Sequence, residues 1–341
     1  MSIYEQLKKS AYKNKYQIAF CGQFNRVRYD EMLRGVDSAY NILHNMGANG
    51  RNFLILLKNS PQLVYLFYGA MRLGSQCIFA HPYTSSYQFE KLVRELNPVA
   101  VFIEADEFER YSLILKRIKI PNTIVNANRR QASSFTSKSV FVLSKLLKEN
   151  DFKTADKLIT NLDLKIGFWG GCGAEHQLNF MPVLDFLELA SQKKAQLKEN
   201  KKLLFKLMLC CEDGLAIAHA ALTAGYELDL KPFDNSLGFI IDNNFLRPQY
   251  QTHYKNGSFV YPKDIESYIE KLEGVNACRC EILSDKVRIT VYHSLNEIEA
   301  AKLISSKLAR NISLLNQDEL KEYNVPFTVL FINAEKKDLT I

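Results

Sequence analysis

Short, unbroken apolar runs alternate with amphipathic stretches along the first two-thirds of this chain, and that alternation restricts its fold more than any other feature. "NFLILL", "QCIFA" and "AVFIE" contain almost nothing polar. Strands buried on both faces read this way, as in a parallel sheet covered by helices. Between these runs, "YDEMLRGVDSAYNILHNMG" puts Met32, Leu33, Val36, Ala39, Tyr40 and Leu43 at helical spacing, with Gly47 as its C-cap. "SPQLVYLFYGAMRLG" predicts a helix with Ser60 as N-cap, Pro61 in its first position and Gly74 as its stop. "SYQFEKLVRELNP" predicts another, closed by Pro98. Strands and helices in regular alternation predict a parallel α/β architecture.

The remaining segments fill in around this frame. "SIYEQLKKSAYKN" predicts an opening helix, and "IAFCG" with "RVRYDEM" a small hairpin. The stretch 116–163 is less regular, with "NANRRQASSFTSK" as an exposed loop, and elsewhere "EFERY" at 107–111 and "EYNVPF" at 322–327 read as surface punctuation. "KIGFWGG" reads as a strand, and "LNFMPVLDFLELASQKKAQL" as one helix bent at Pro182. From Lys201 to Phe245 the pattern is strand, loop, helix, Gly225, strand, turn, helix. The character changes after Phe245. "LRPQYQTHYKNG" is a linker, and "DIESYIEKLEGV", "NACRCEIL", "VRITVYHS", "EIEAAKLISSKLAR" and "FTVLFIN" predict a compact α+β unit. Two domains are therefore expected, an α/β body over 1–245 and a small α+β domain over 246–341.

A chain of 341 residues with 47% hydrophobic content can bury cores of that size. Its formal net charge of +7 is spread over dispersed lysines without a block of five. This argues against nucleic acid and fits anionic metabolites or acidic partner proteins. No apolar run approaches the ~18 residues of a membrane span, and no leader peptide is recognised. The seven cysteines are odd in number, scattered and without a CxxC pair, as in a reduced cytoplasmic protein with no zinc site.

The stretch "KIGFWGGCGAEHQL", Lys165 to Leu178, is the chain's one candidate for ligand chemistry. Three of the 15 glycines, Gly170, Gly171 and Gly173, fall within four residues after an apolar strand. Phosphate loops share that backbone, but they add Ser, Thr or Lys side chains, and this stretch beyond its first residue has none. The alternative is a tight strand-to-helix turn. Cys172 with Glu175 and His176 offers a nucleophile pair only if the thiol is acidified and a base lies in reach, and the sequence supplies neither. His219 shares a helical face with Leu215, Ala218 and Leu222 and reads as a packed histidine. Cys210 and Cys211 read as core residues at a strand end.

Four blocks, in order, resemble the adenylate-forming superfamily of acyl-CoA synthetases, peptide-synthetase adenylation domains and luciferases. The first runs from Val27 to Pro82, "VRYDEMLRGVDSAYNILHNMG…LLKNSPQLVYLFYGAMRLG", and is similar to the family's opening "TYxEL…NSPE" block. The second is the glycine stretch. The third is "LLFKLMLCCEDGLAIAHAALTAGYELDLKPFDNSLGFIIDNNF", and the fourth "YKNGSFVYPKDIESYIEKLEGV", which resembles the start of the family's mobile C-terminal domain. The resemblance implies a shortened adenylate-forming-ligase-like fold. It also implies that the glycine stretch corresponds to the ATP phosphate loop "TSGTTG.PKG". Trp169, Gly170, Gly171, Cys172, Gly173 and Ala174 take that loop's first six places, His176 its proline and Gln177 its lysine. The chain departs from the family by losing both threonine hydroxyls and the ammonium. The "YG.TE" motif and the ribose-binding aspartate have no counterpart. At the hinge, Arg247 and Pro248 stand at the Gly-Arg places, Tyr250 and Gln251 replace aspartates, and Tyr254 replaces a lysine. The family's catalytic lysine would fall just past Ile341, and Lys336 and Lys337 read as solvated tail residues.

These departures lead to one expectation and two alternatives. The expectation is a degenerate member that binds or scaffolds beside a biosynthetic pathway, with a carrier protein or partner enzyme as the partner class. It has no assigned catalytic residue and no metal. Gly170, Gly171, Cys172, Gly173, His176 and Gln177 form its vestigial phosphate loop. The first alternative is an ATP-dependent acid ligase with a reduced site, which would use ATP/AMP with Mg. The second is a ligand sensor without turnover.

Overall fold

A computed structural model describes residues 2–22, 26–82, 84, 86–128, 130–135, 140–150, 164–170, 177–195, 197, 201–205, 208–230, 253–255, 258–260, 269, 274–282, 287–293, 302 and 327–333. The chain forms two compact units. The first comprises Met1–Pro82, Val93–Trp169 and Leu178–Asp234, and the second Tyr83–Leu92, Gly170–Gln177 and Asn235–Ile341. The domain boundary expected at 245/246 lies outside the described residues.

The first unit holds two sheets. Its elements run α1 (Ile3–Lys13), β1 (Ile18–Cys21), β2 (Arg26–Arg28), α2 (Tyr29–Asn45), β3 (Asn52–Leu56), α3 (Pro61–Leu73) and β4 (Gln76–Phe79). Then come α4 (Ser86–Leu96, of which Ser86–Leu92 counts to the second unit), β5 (Ala100–Glu104), α5 (Phe108–Ile118), β6 (Asn122–Asn126), β7 (Val140–Val142) and α6 (Leu143–Glu149). Last are β8 (Lys165–Gly170), β9 (Gln177–Pro182), α7 (Val183–Ala195), β10 (Lys202–Phe205), α8 (Glu212–Thr223) and β11 (Glu227–Leu230). The larger sheet has the order β7-β6-β5-β3-β4-β8-β9. All pairings from β7 to β8 are parallel. The smaller sheet, β10-β11-β1-β2, is parallel except for the β1–β2 hairpin. This is the α/β architecture expected from the alternation, with β3 and β5 buried almost throughout.

Local sequence explains the element ends. Ser60 Oγ accepts the Leu63 N–H at 3.3 Å, Pro61 opens α3, and Gly74 closes it in the left-handed conformation at φ 71°. Ser2 and Glu5 close a reciprocal capping box on α1, which satisfies donors that a helix start leaves open. Gly69 lets α2 and α3 meet backbone to backbone, because a Cβ there would sit 2.8 Å from the Tyr40 nitrogen. Phe67 anchors the layer behind, packing against Phe79 and Phe186.

Three expectations need correction. Leu178–Pro182 is not the start of a bent helix but belongs to strand β9, and α7 begins only at Val183. Proline biases its predecessor toward extended backbone, so Pro182 ends a strand rather than kinking a helix. "EFERY" is not surface punctuation, because Glu107 and Tyr111 are buried where α5 packs down. The irregular stretch 116–163 contains β6, β7 and α6, although its "NANRRQ" portion is largely loop.

In the second unit, β12 (His253–Lys255) and β13 (Ser258–Val260) form a hairpin. β14 (Val275–Ile282) pairs antiparallel with β15 (Val287–His293), which pairs parallel with β16 (Phe327–Asn333). These are the strands read in "NACRCEIL", "VRITVYHS" and "FTVLFIN". The two helices read between them fall almost wholly outside the described residues.

Candidate functional site

The glycine stretch follows β8, whose placement depends on side-chain size. β8 lies parallel to β4 with Gly167 opposite Ile78 and Phe168 opposite Phe79. A Cβ on Gly167 would come 2.8 Å from Ile78 Cγ1, so glycine is what lets the strands close. The Phe79 and Phe168 rings stack at 5.8 Å. Trp169, next along, is buried at 7% exposure. β8 ends at Gly170 and β9 begins at Gln177, and the two are neighbours in the sheet. The glycine stretch is therefore a strand-to-strand connection, not the strand-to-helix turn expected as its alternative reading. Gly171, Cys172, Gly173, Ala174, Glu175 and His176 lie outside the described residues. So do Arg247, Pro248, Tyr250, Gln251, Lys336 and Lys337, while Tyr254 lies in β12.

The same edge of the sheet carries polar groups that pattern reading missed. β3 leads to β4 on one side and β5 leads to β6 on the other, so the chain reverses direction between β3 and β5. Open α/β sheets bind ligands outside the C-terminal strand ends at such a reversal. Here the ends are tied together instead. The Lys58 N–H donates to Glu104 Oε1 at 2.8 Å, and the Asn126 amide donates to both Glu104 oxygens at 3.3 Å. The Lys58 ammonium lies 3.6 Å from Asp106. Burial raises the Glu104 carboxyl above its ordinary range, while its hydrogen bonds and the Lys58 charge pull it back. A polar residue just past each apolar run was the signal available in the sequence.

His219 is packed, as its helical face implies. Its Nδ1 meets the Tyr68 hydroxyl at 2.8 Å and its Nε2 faces Gln6 Oε1 at 3.4 Å. An amide oxygen only accepts, so Nε2 carries the proton and Nδ1 accepts from Tyr68. Burial, reinforced by nearby Lys194, depresses its pKa to about 3, which leaves it a neutral structural link. Cys210 and Cys211 are half-buried in the turn before α8 rather than at a strand end. Cys211 Sγ donates to the Met208 carbonyl at 3.0 Å. No cluster that could hold a metal ion occurs among the described residues. No helix among them is long and apolar enough to cross a membrane.

Neither a family model nor a curated protein matches the chain. Solved structures do. The chain is similar to coronafacic acid ligase from Pectobacterium brasiliense, at 12% identity over 100% of this chain and 96% of that one, with a TM-score of 0.60. It is also similar to the luciferase-like enzyme from the nonluminescent mealworm Zophobas morio, at 14% identity over 68% of this chain, with a TM-score of 0.57. Acetoacetyl-CoA synthetase from Streptomyces lividans matches at 13% identity over 68% of this chain and 38% of that one, with a TM-score of 0.58. The chain spans 54% of the length of the mealworm enzyme. The chain shares the fold of these three enzymes, the fold that the four sequence blocks imply.

Proposed function

We propose that this chain is a degenerate adenylate-forming-ligase-like protein that works by binding, as a scaffold beside a carrier protein or partner enzyme, without activating an acid itself. The observation that carries this reading is the donor set of the glycine stretch. The places where the family loop sets hydroxyl residues and an ammonium around the ATP phosphates are filled by Trp169, Gly170, Cys172 and Gly173, and by Gln177. Adenylate formation needs charge held in line and stabilised by fixed groups. Backbone N–H groups alone are neutral donors, and charge-assisted bonds are about twice as strong. Mg·ATP does not fit such a set. The tied strand ends point the same way, because Glu104 and Lys58 are engaged with each other and with Asn126 and Asp106.

The test is a thermal-shift titration with ATP, AMP and CoA, with and without Mg²⁺, beside a pyrophosphate-exchange assay with a panel of carboxylic acids. A ligand at ~100 times its Kd would add about 2.7 kcal/mol of stability. No shift at millimolar Mg·ATP and no exchange are expected. Acid-dependent exchange would establish the ligase instead, and a shift without turnover the sensor.

A further inference from the structure

We propose that the solvent face of α1, with the turn that follows it, docks an acidic segment of a partner protein. The inference rests on the reading that the chain works by binding, and it names where and to what.

The segment "EQLKKSAYKNKY" carries Lys8, Lys9, Lys13 and Lys15 against a single carboxylate, Glu5. None of the four lysines forms an ion pair with a described residue. The acidic side chains bordering them are already held: Glu5 by the Ser2 N–H at 2.8 Å, Asp30 by Arg28 at 3.1 Å, and Asp37 by Arg72. Two large rings stand out among these lysines, Tyr12 at 66% and Tyr16 at 73% exposure. The Lys8 ammonium lies 5.8 Å from the Tyr12 ring centre, and that of Lys15 5.2 Å from that of Tyr16. Such contacts hold flexible lysine stems near one arrangement, which lowers the ordering cost of docking. Tyrosine is also the residue type that anchors protein interfaces.

Charge selects the occupant. A patch of four cations with two hydroxyl-bearing rings complements clustered carboxylates. A membrane surface fits less well, because the helix has already spent its apolar face: Ile3, Tyr4, Leu7 and Ala11 are buried in the unit. A nucleic-acid strand fits less well too. Glu5, Asp30 and Asp37 border the patch and would oppose a continuous phosphate chain, whereas a compact acidic helix can sit between them.

The test uses the full chain and a fluorescein-labelled helical peptide with glutamates at i, i+4 spacing, read by anisotropy at low and physiological salt. Lys9→Glu with Lys15→Glu is compared with Lys116→Glu with Lys148→Glu, which makes the same charge change at exposed positions elsewhere. The first pair should weaken binding at least ~10-fold and flatten its salt dependence, and the second should change it less than ~2-fold. Tyr12→Ser with Tyr16→Ser should also weaken binding while leaving the salt dependence intact. Equal effects of the two charge pairs, or no binding to the wild-type chain, would overturn the proposal. So would tighter binding to a single-stranded oligonucleotide or to phosphatidylserine vesicles, lost in the same first pair. Acid-dependent pyrophosphate exchange would remove the binding-only reading and leave this surface to be judged by the peptide.

Discussion

The Lys193 ammonium lies 2.7 Å from the Asp213 carboxylate, with both side chains sealed from solvent, and this pair joins α7 to α8. Taking two charges out of water costs several kcal/mol each, so the pair is weak evidence of net stabilisation, but losing one partner strands the other. Asp213→Ala should therefore destabilise by about 3–5 kcal/mol in urea unfolding. Replacing both, with Lys193→Met and Asp213→Leu, should recover most of that loss. Equal losses in the single and double variants would show that the pair does not act as a unit.

His219 makes stability depend on pH. Its pKa falls from 6.5 to about 3 on folding, chiefly through burial and secondarily through Lys194. The unfolded chain thus binds a proton that the folded one refuses. The contribution is complete above pH 6.5 and is lost as pH falls toward 3, at up to about 1.4 kcal/mol per unit. His219→Gln should flatten the stability profile between pH 6.5 and 4 relative to wild type. Parallel profiles would mean that the imidazole does protonate in the folded chain.

The parts of the fold legible in the sequence were those written locally. Ser60, Pro61 and Gly74 mark both ends of α3 within one segment, and the apolar runs of β3, β4 and β5 need no partner to be recognised. Elements whose character depends on distant contacts were not legible. Leu178–Pro182 adjoins a helical pattern, and only its place beside β8 makes it a strand. In α5 the charged residues and Leu113, 78% exposed, mask the buried Tyr111, Ile114 and Leu115. In the candidate site the glycine run was visible from composition alone. Lys58 and Glu104 are 46 residues apart, and Tyr68 and His219 are 151 apart, so neither link leaves a local pattern.

Gly69 is a packing glycine rather than a conformational one. A methyl group there would meet the α2 backbone at 2.8 Å, at the Tyr40 nitrogen, and at 3.1 Å, at the Ala39 carbonyl carbon, where no side chain can swing away. Helix propensity alone would favour alanine by about 1 kcal/mol. The overlap outweighs it, and Gly69→Ala should lose about 1–3 kcal/mol in chemical unfolding. An unchanged or raised midpoint would mean that α2 and α3 separate without cost.

Trp169, the only tryptophan, tests whether an indole occupies the place that the family resemblance gives to phosphate. The family resemblance sets a small hydroxyl residue at this place, and an indole is large enough to occupy space that phosphate would need. Trp169 is buried at 7% exposure directly before the glycine stretch. Its emission should therefore be blue-shifted and poorly quenched by iodide, and a red, freely quenched spectrum would show an open site. Burial alone does not separate a plug from ordinary packing on the strand, and a double variant does. Trp169→Ser with Gln177→Lys removes the indole and restores a hydroxyl and an ammonium, the two kinds of donor that strengthen anion contacts. If the indole plugs the site, pyrophosphate or AMP should raise the melting temperature of the double variant and not that of the parent. At ~100 times Kd the gain would be about 2.7 kcal/mol, several degrees for a chain of this size. A double variant that folds and melts identically with and without either anion would show that Trp169 only packs on β8.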